Sequence, residues 1–134
     1  MPKRSDIKFT AVIVGVIVDN AGTLLLMTIL ASALVSTGLS EDEVMSRMKS
    51  TSGLLLGLIV GLSFTVLGGF FAAKMAGRAE ILHGVLVAVV GMVLALVFRE
   101  EGSPLWFDIA GLAGMLAAGM AGAYLAQRRR VDLK

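Results

Sequence analysis

Long apolar stretches separated by short polar segments dominate this chain. Four of them cover about residues 9–35, 53–73, 81–98 and 105–126. A helix needs roughly 20 mainly apolar residues to cross the hydrocarbon core of a bilayer, and each stretch is close to that length or longer. The pattern predicts an all-α polytopic membrane protein, built as an antiparallel four-helix transmembrane bundle with short loops. We expect all 134 residues to form one four-span domain.

The polar segment after the first span predicts a fifth, shorter helix. Ser40 and Glu43 have the spacing of a capping box, in which a serine and a glutamate three residues later bond each other's backbone amides. Apolar residues then share one helical face. Residues of about 41–49 are therefore expected to form a short helix on the outer membrane surface.

Composition supports a lipid environment and excludes several kinds of chemistry. Hydrophobic residues make up 57% of the chain and charged residues 16%, with no cysteine and one histidine. A metal site built from protein side chains is therefore not expected. Because no nucleophile–base pair or phosphate-binding loop is found, we also expect no enzyme activity, no catalytic residue and no cofactor. No feature favours nucleic-acid binding.

Lysine and arginine are distributed unevenly between the two sides of the predicted bundle. If both termini are inside, nine of the 12 basic residues fall in inner segments: Lys3, Arg4, Lys8, Lys74, Arg78, Arg128, Arg129, Arg130 and Lys134. The outer loops hold Arg47, Lys49 and Arg99, together with the acidic Glu41, Asp42, Glu43, Glu100 and Glu101. The positive-inside rule therefore predicts a multi-pass protein of the cell (inner) membrane with cytoplasmic termini.

Small residues recur at a spacing of three to four along the predicted spans. Lipid provides no hydrophobic drive for helix association, so such faces favour close backbone packing instead. The glycines expected to pack helices are Gly15, Gly53, Gly57, Gly61, Gly69, Gly84, Gly91, Gly114 and Gly122. A sharper alternative is that one of these faces is a homo-oligomer interface or contacts a larger membrane partner.

An aspartate interrupts the first span in the segment GVIVDNAGT, residues 15–23. Asp19 lies about 15 Å beyond the start of the span, near mid-membrane, on the small-residue face that should meet other helices. No lysine or arginine is expected at that depth, so Asp19 should be protonated, hydrated or bound to a cation. The residues expected around it are Asn20, Thr23, Ser63 and Thr65. Asp19 is either a coupling carboxylate for protons or cations, or a neutral acid that joins helices by hydrogen bonds.

A second polar cluster lies in the hairpin GGFFAAKMAGRAEILHG, residues 68–84. Lys74, Arg78 and His83 gather there at the predicted inner interface. One interpretation is that they anchor the topology of a tight turn. The other is that they contact an anionic lipid headgroup or a protein partner.

The hairpin and the GVIVDNAGT segment together resemble a group of small, uncharacterised bacterial four-span inner-membrane proteins. That group combines a first-helix aspartate near glycine with a hairpin of Gly-Gly-aromatic, Ala-Gly-Arg and His-Gly elements. The resemblance covers the first three predicted helices. It implies a four-span fold and a membrane location, and it implies no activity.

The sequence is compatible with two functions. The leading hypothesis is a structural or interaction subunit that associates through small-residue helix faces. The alternative is a small proton- or cation-coupled transporter or channel that uses Asp19. The lipid bilayer is the partner common to both.

Overall fold

The computed structural model describes residues 7–99 and 101–132, which form helices joined by short loops. The helices are α1 (Phe9–Ser36), α2 (Glu41–Lys49), α3 (Thr51–Ala76), α4 (Glu80–Val97) and α5 (Leu105–Asp132). Four of them are long and apolar enough to cross a membrane, and the described residues contain no strand. The predicted all-α class with four candidate spans is therefore confirmed. Lys3, Arg4, Glu100 and Lys134, used above for the charge distribution, lie outside the described residues.

The helices extend beyond the apolar stretches that predicted them. α3 begins at Thr51 and ends at Ala76, while α5 continues past the predicted end at residue 126 to Asp132. The last part of α5 contains glutamine and a run of arginines, which are good helix formers. An apolar stretch therefore marks the part of a helix that suits lipid, and not the end of the helix.

α2 begins with the predicted capping box. The Glu43 amide donates to the Ser40 hydroxyl at 3.3 Å, and the Ser40 amide donates to the Glu43 carboxylate at 2.8 Å. The bond from the Ser40 amide, followed by one that the Ser40 hydroxyl donates to the same carboxylate at 3.0 Å, holds the pKa of the Glu43 carboxyl group below its ordinary value. Val44 of α2 is buried, and the helix packs against α3 and α1.

The turn between α3 and α4 is closed by contacts from both ends of the described chain. Gly77 ends α3 with a φ of 69°, a left-handed conformation that favours glycine. Arg130 of α5 donates to the Gly77 carbonyl oxygen and pairs with the Glu80 carboxylate at 2.9 Å. The Lys8 side chain, just before α1, donates to the carbonyl of Met75. We call this end of the molecule the turn end and the opposite one the α2 end.

α3 lies at the centre of the helix packing. It contacts every other helix, most extensively α5 and α1, and α4 packs against α5, α3 and α1. In the part of the chain that the structure describes, no Cα atom of α1 lies within 8 Å of a Cα atom of α5. α3 and α4 therefore separate α1 from α5.

Glycines bring helix backbones into contact toward the turn end. A Cβ added at Gly69 would lie 2.5 Å from the Gly119 carbonyl oxygen, and one at Gly84 would collide with the same oxygen. A Cβ at Gly15 would lie 2.7 Å from the Gly68 carbonyl oxygen. Among the predicted packing glycines, Gly15, Gly69, Gly84 and Gly122 thus meet the backbone of another long helix. Gly68 and Gly119 also make such backbone contacts. The four-residue spacing did not predict them, because each lies one position beside the predicted face.

Toward the α2 end, Gly57 and Gly61 make no close contact with another helix backbone. A Cβ at Gly61 would meet nothing within 4 Å, and one at Gly57 would meet only Met27 Cε at 3.6 Å. Gly53 contacts the last carbonyl groups of α2 instead of a long helix. Within the described chain, Gly57 and Gly61 therefore do not pack against another long helix, and a cleft opens beside them.

Candidate functional site

Asp19 and Thr65 form a buried pair between α1 and α3. The Thr65 hydroxyl donates to Asp19 Oδ1 at 3.0 Å, and the two residues are 6% and 1% exposed. Asp19 follows Gly15 by one helical turn on the same face, and Gly15 is where α1 touches α3. A Cβ at Gly68 would lie 3.1 Å from Asp19 Cβ. The close approach of the two glycines therefore brings the carboxyl group against α3.

α4 forms the third wall around this carboxyl group. Gly91 is buried, and a Cβ there would lie 3.4 Å from Asp19 Oδ2 and 3.9 Å from Met115 Sδ. The missing side chain at Gly91 thus leaves room for the carboxylate. Neither ion pair found among the described residues, Arg99–Asp108 or Arg130–Glu80, includes Asp19. The acid is therefore paired with a hydroxyl at a junction of three helices.

The Thr65 hydroxyl has two acceptors for its one proton. Its oxygen lies 3.0 Å from Asp19 Oδ1 and also 3.0 Å from the carbonyl oxygen of Gly61. When Asp19 carries a proton, its O–H can donate to Thr65 while Thr65 donates to Gly61, and each group is satisfied. When Asp19 is ionised, both acceptors compete for the same hydroxyl proton. The arrangement can therefore hold either protonation state with a different hydrogen-bond direction.

The other polar residues expected around Asp19 bond to their own helices. Asn20, Thr23 and Ser63 each donate to a carbonyl oxygen four residues earlier, at 3.0, 2.7 and 2.7 Å. For Thr23 that acceptor is the backbone carbonyl of Asp19, so it contacts the right residue but not its carboxyl group. Ser63 is exposed, because it lies about 200° around α3 from Thr65. Of the four expected neighbours, Thr65 alone bonds to the carboxyl group.

A cleft with a volume of about 660 Å³ opens at the α2 end between α3 and α5. Its walls are mainly apolar, and include Leu54, Leu58 and Leu62 of α3 and Phe107, Leu112 and Met115 of α5. From α1 the lining includes Thr23, one turn from Asp19. Gly61 also lines the cleft, and its carbonyl oxygen accepts from Thr65. The cleft therefore ends next to the Asp19–Thr65 pair.

Charged side chains surround the mouth of the cleft. Arg99 donates to Asp108 Oδ2 from Nε at 2.8 Å and from Nη2 at 2.7 Å, and the Ser103 hydroxyl donates to Asp108 Oδ1 at 2.9 Å. Lys49 and Glu101 line the same opening. The mouth thus has two basic and two acidic groups above apolar walls.

His83 lies inside the molecule at the turn end. It is 0% exposed, its Nε2 accepts from the backbone amide of Lys8 at 3.0 Å, and its Nδ1 lies 2.9 Å from the carbonyl oxygen of Ala79. Nε2 accepts only when it is unprotonated, so Nδ1 carries the hydrogen. His83 therefore ties the start of α1 to α4. The expectation that it contacts a lipid headgroup or partner does not fit this burial.

The basic residues of that predicted cluster remain at the surface. Lys74 and Arg78 are both exposed. Lys74 Nζ lies 5.9 Å from the centre of the Phe70 ring, and the Arg129 guanidinium of α5 lies 5.7 Å from the same centre. One cation from α3 and one from α5 thus lie near the Phe70 ring at the turn end.

Replacing Thr65 by valine is expected to lower the free energy of unfolding by about 0.5–2 kcal/mol, because it removes the donor to Asp19 at nearly constant volume. Thermal or denaturant unfolding in detergent measures the change. Thr28→Val, at an exposed position of α1, is the matched control and should have little effect. In the Asp19→Ala background, which lacks the acceptor, the loss should be smaller, since the two residues interact. Equal losses in both backgrounds would contradict the pairing.

No family model, no curated protein and no solved structure matches this chain. The resemblance to bacterial four-span proteins therefore stays a prediction. Two features of the molecule bear on its function: the Asp19–Thr65 pair and the cleft that ends beside it.

Proposed function

We propose that the protein is a small proton-coupled membrane transporter in which Asp19 takes up and releases the proton. The observation that carries this proposal is the distance between cleft and acid: an open cleft ends one helical turn from a buried carboxyl group. An ionisable residue inside a membrane is costly, and it usually marks a pathway for ions, protons or substrates.

The proposal includes a direction in the membrane. The four apolar helices cross the bilayer as a bundle, and the basic residues at the turn end put that end in the cytoplasm. Lys74, Arg78 and the arginines at the end of α5 are then at the cytoplasmic surface, where contact with anionic headgroups is expected. The α2 end and the mouth of the cleft face outward.

The two ends of the bundle differ in a way that suits transport. Toward the cytoplasm, Gly69, Gly84 and Gly119 bring the backbones of α3, α4 and α5 together. Toward the outside, the cleft gives a solute and protons a route to the level of Thr23. The arrangement corresponds to an outward-open state, with Asp19 at the boundary between the open and closed halves.

Proton entry into vesicles tests this proposal. The protein is reconstituted into phosphatidylethanolamine–phosphatidylglycerol vesicles that contain the pH-sensitive dye pyranine, with potassium and valinomycin to cancel the membrane potential. After the external medium is acidified, we expect faster internal acidification than in protein-free vesicles. Ser63→Ala changes a polar group that lies near the same depth but does not contact Asp19, and it should retain the wild-type rate. Equal rates with and without protein would overturn the proposal.

The interaction subunit remains a second candidate, supported by one observation. Gly57 and Gly61 belong to the small-residue face of α3, and neither makes a close contact within the chain. A helix of a partner protein or of a second copy could pack against them. The other close glycine contacts are made within the chain itself, so this candidate depends on the part of α3 beside the cleft.

A further inference from the structure

We propose that the cleft binds one hydrocarbon chain of a zwitterionic phospholipid, drawn from the membrane leaflet at the α2 end. The headgroup lies at the mouth beside the Arg99–Asp108 pair. This inference rests on the proposed function in one respect, since it takes the cleft as the solute site and names the class of solute.

The length of the cleft matches one leaflet. Its lining extends from Phe107 to Met115 on α5 and from Leu62 to Leu54 on α3. Eight residues of helix rise about 12 Å. One leaflet contributes about 15 Å to a hydrocarbon core of about 30 Å. A chain that enters from the leaflet can therefore lie along the cleft with its headgroup at the usual level.

The walls suit a hydrocarbon chain better than a polar solute. They are formed mainly by leucine, methionine and phenylalanine side chains, and the volume of about 660 Å³ lies within the range of ligand cavities. Glycines keep the space open from both sides. A Cβ at Gly61 would meet no atom within 4 Å, and one at Gly111 would meet only Leu58 Cδ1 at 3.8 Å.

The mouth of the cleft is complementary to a headgroup with both charges. Lys49 and Arg99 can attract a phosphate, and Glu101 and Asp108 can attract an ammonium group. A headgroup with only negative charge would be attracted by the two basic residues and repelled by the two acidic ones. Trp106, at the start of α5, is partly exposed at this level, where aromatic residues prefer the interface.

The amount of lipid that stays bound after extraction in detergent tests this inference directly. Wild type and variants are extracted in a mild detergent from vesicles with equal amounts of phosphatidylethanolamine and phosphatidylglycerol, and bound lipid is counted by native mass spectrometry. Wild type should retain phosphatidylethanolamine in two- to fivefold excess, roughly the selectivity of one or two exposed charge pairs. Gly61→Leu and Gly111→Leu fill the cleft from opposite walls, and each should reduce retention by about fivefold or more.

Ala113→Leu is the matched control, because Ala113 is exposed on α5 and does not line the cleft. It should retain lipid as wild type does. Equal retention in all four proteins, or a preference for phosphatidylglycerol, would overturn the inference. So would a second protein chain crosslinked to cysteine placed at Gly61, since a helix would then occupy the cleft.

The Asp19→Asn variant separates this inference from the proposed function. Its carboxyl group does not line the cleft, so lipid retention should be unchanged. If lipid binds and wild-type vesicles show no protein-dependent proton entry, the transport proposal fails and the lipid site stands. If proton entry depends on Asp19 and no lipid is retained, the lipid site fails and the transport proposal stands.

Discussion

Asp19→Asn is expected to reduce proton entry into vesicles to the protein-free rate while the protein remains folded. Asparagine has nearly the same size as aspartate, and its amide oxygen can still accept the hydrogen bond from Thr65. The amide group does not titrate, so the buried acid at the junction of α1, α3 and α4 is lost as a proton carrier.

The measurement is the pyranine assay together with gel filtration and thermal unfolding of the same preparation. An unchanged elution profile with background proton entry would support a coupling role for Asp19. Proton entry that survives the substitution would exclude that role. Loss of the folded peak with no proton entry in wild type would instead favour the hypothesis that Asp19 joins helices through hydrogen bonds.

Gly122→Val is expected to prevent the helices from packing, at a cost of about 3 kcal/mol or more. A Cβ at Gly122 would collide with the Val66 carbonyl oxygen and lie 2.8 Å from the Phe70 backbone nitrogen. These are backbone atoms of α3, which cannot rotate away as a flexible side chain can. α5 would have to separate from α3, the helix with which it packs most extensively.

Gly61→Val is the control for this change, since the same side chain would there enter open space. Resistance to denaturation by increasing SDS, followed by circular dichroism or intrinsic fluorescence of Trp106, compares the two variants with wild type. Gly61→Val should unfold at nearly the wild-type SDS fraction and Gly122→Val well below it. Similar behaviour of the two variants would contradict the packing described for α3 and α5.

The sequence was sufficient for those features that depend on one helix at a time. The length of each apolar stretch predicted four long helices, and the spacing of Ser40 and Glu43 predicted the start of α2. The periodicity of α1 placed Asp19 on the face of Gly15, and the periodicity of α3 placed Thr65 on a small-residue face. Their hydrogen bond agrees with both.

Features that depend on how helices diverge or meet could not be predicted in this way. Gly57 and Gly61 have the same spacing as Gly69, yet only Gly69 meets another backbone, because α3 and α5 separate toward the α2 end. His83 lies near basic residues in the sequence and suggested a headgroup contact. Its burial depends on the position of Lys8, 75 residues earlier in the chain.

The Thr65 hydroxyl has one hydrogen and two possible acceptors, and this affects the activation barrier for protonating Asp19. Switching between the two protonation states of Asp19 requires the hydroxyl hydrogen to rotate toward Gly61 or toward the carboxylate, and no carbon atom has to move. The dense contacts among α1, α3 and α4 can therefore persist through a protonation cycle. The activation barrier for charging and discharging the acid is then separate from any barrier for rearranging the helices.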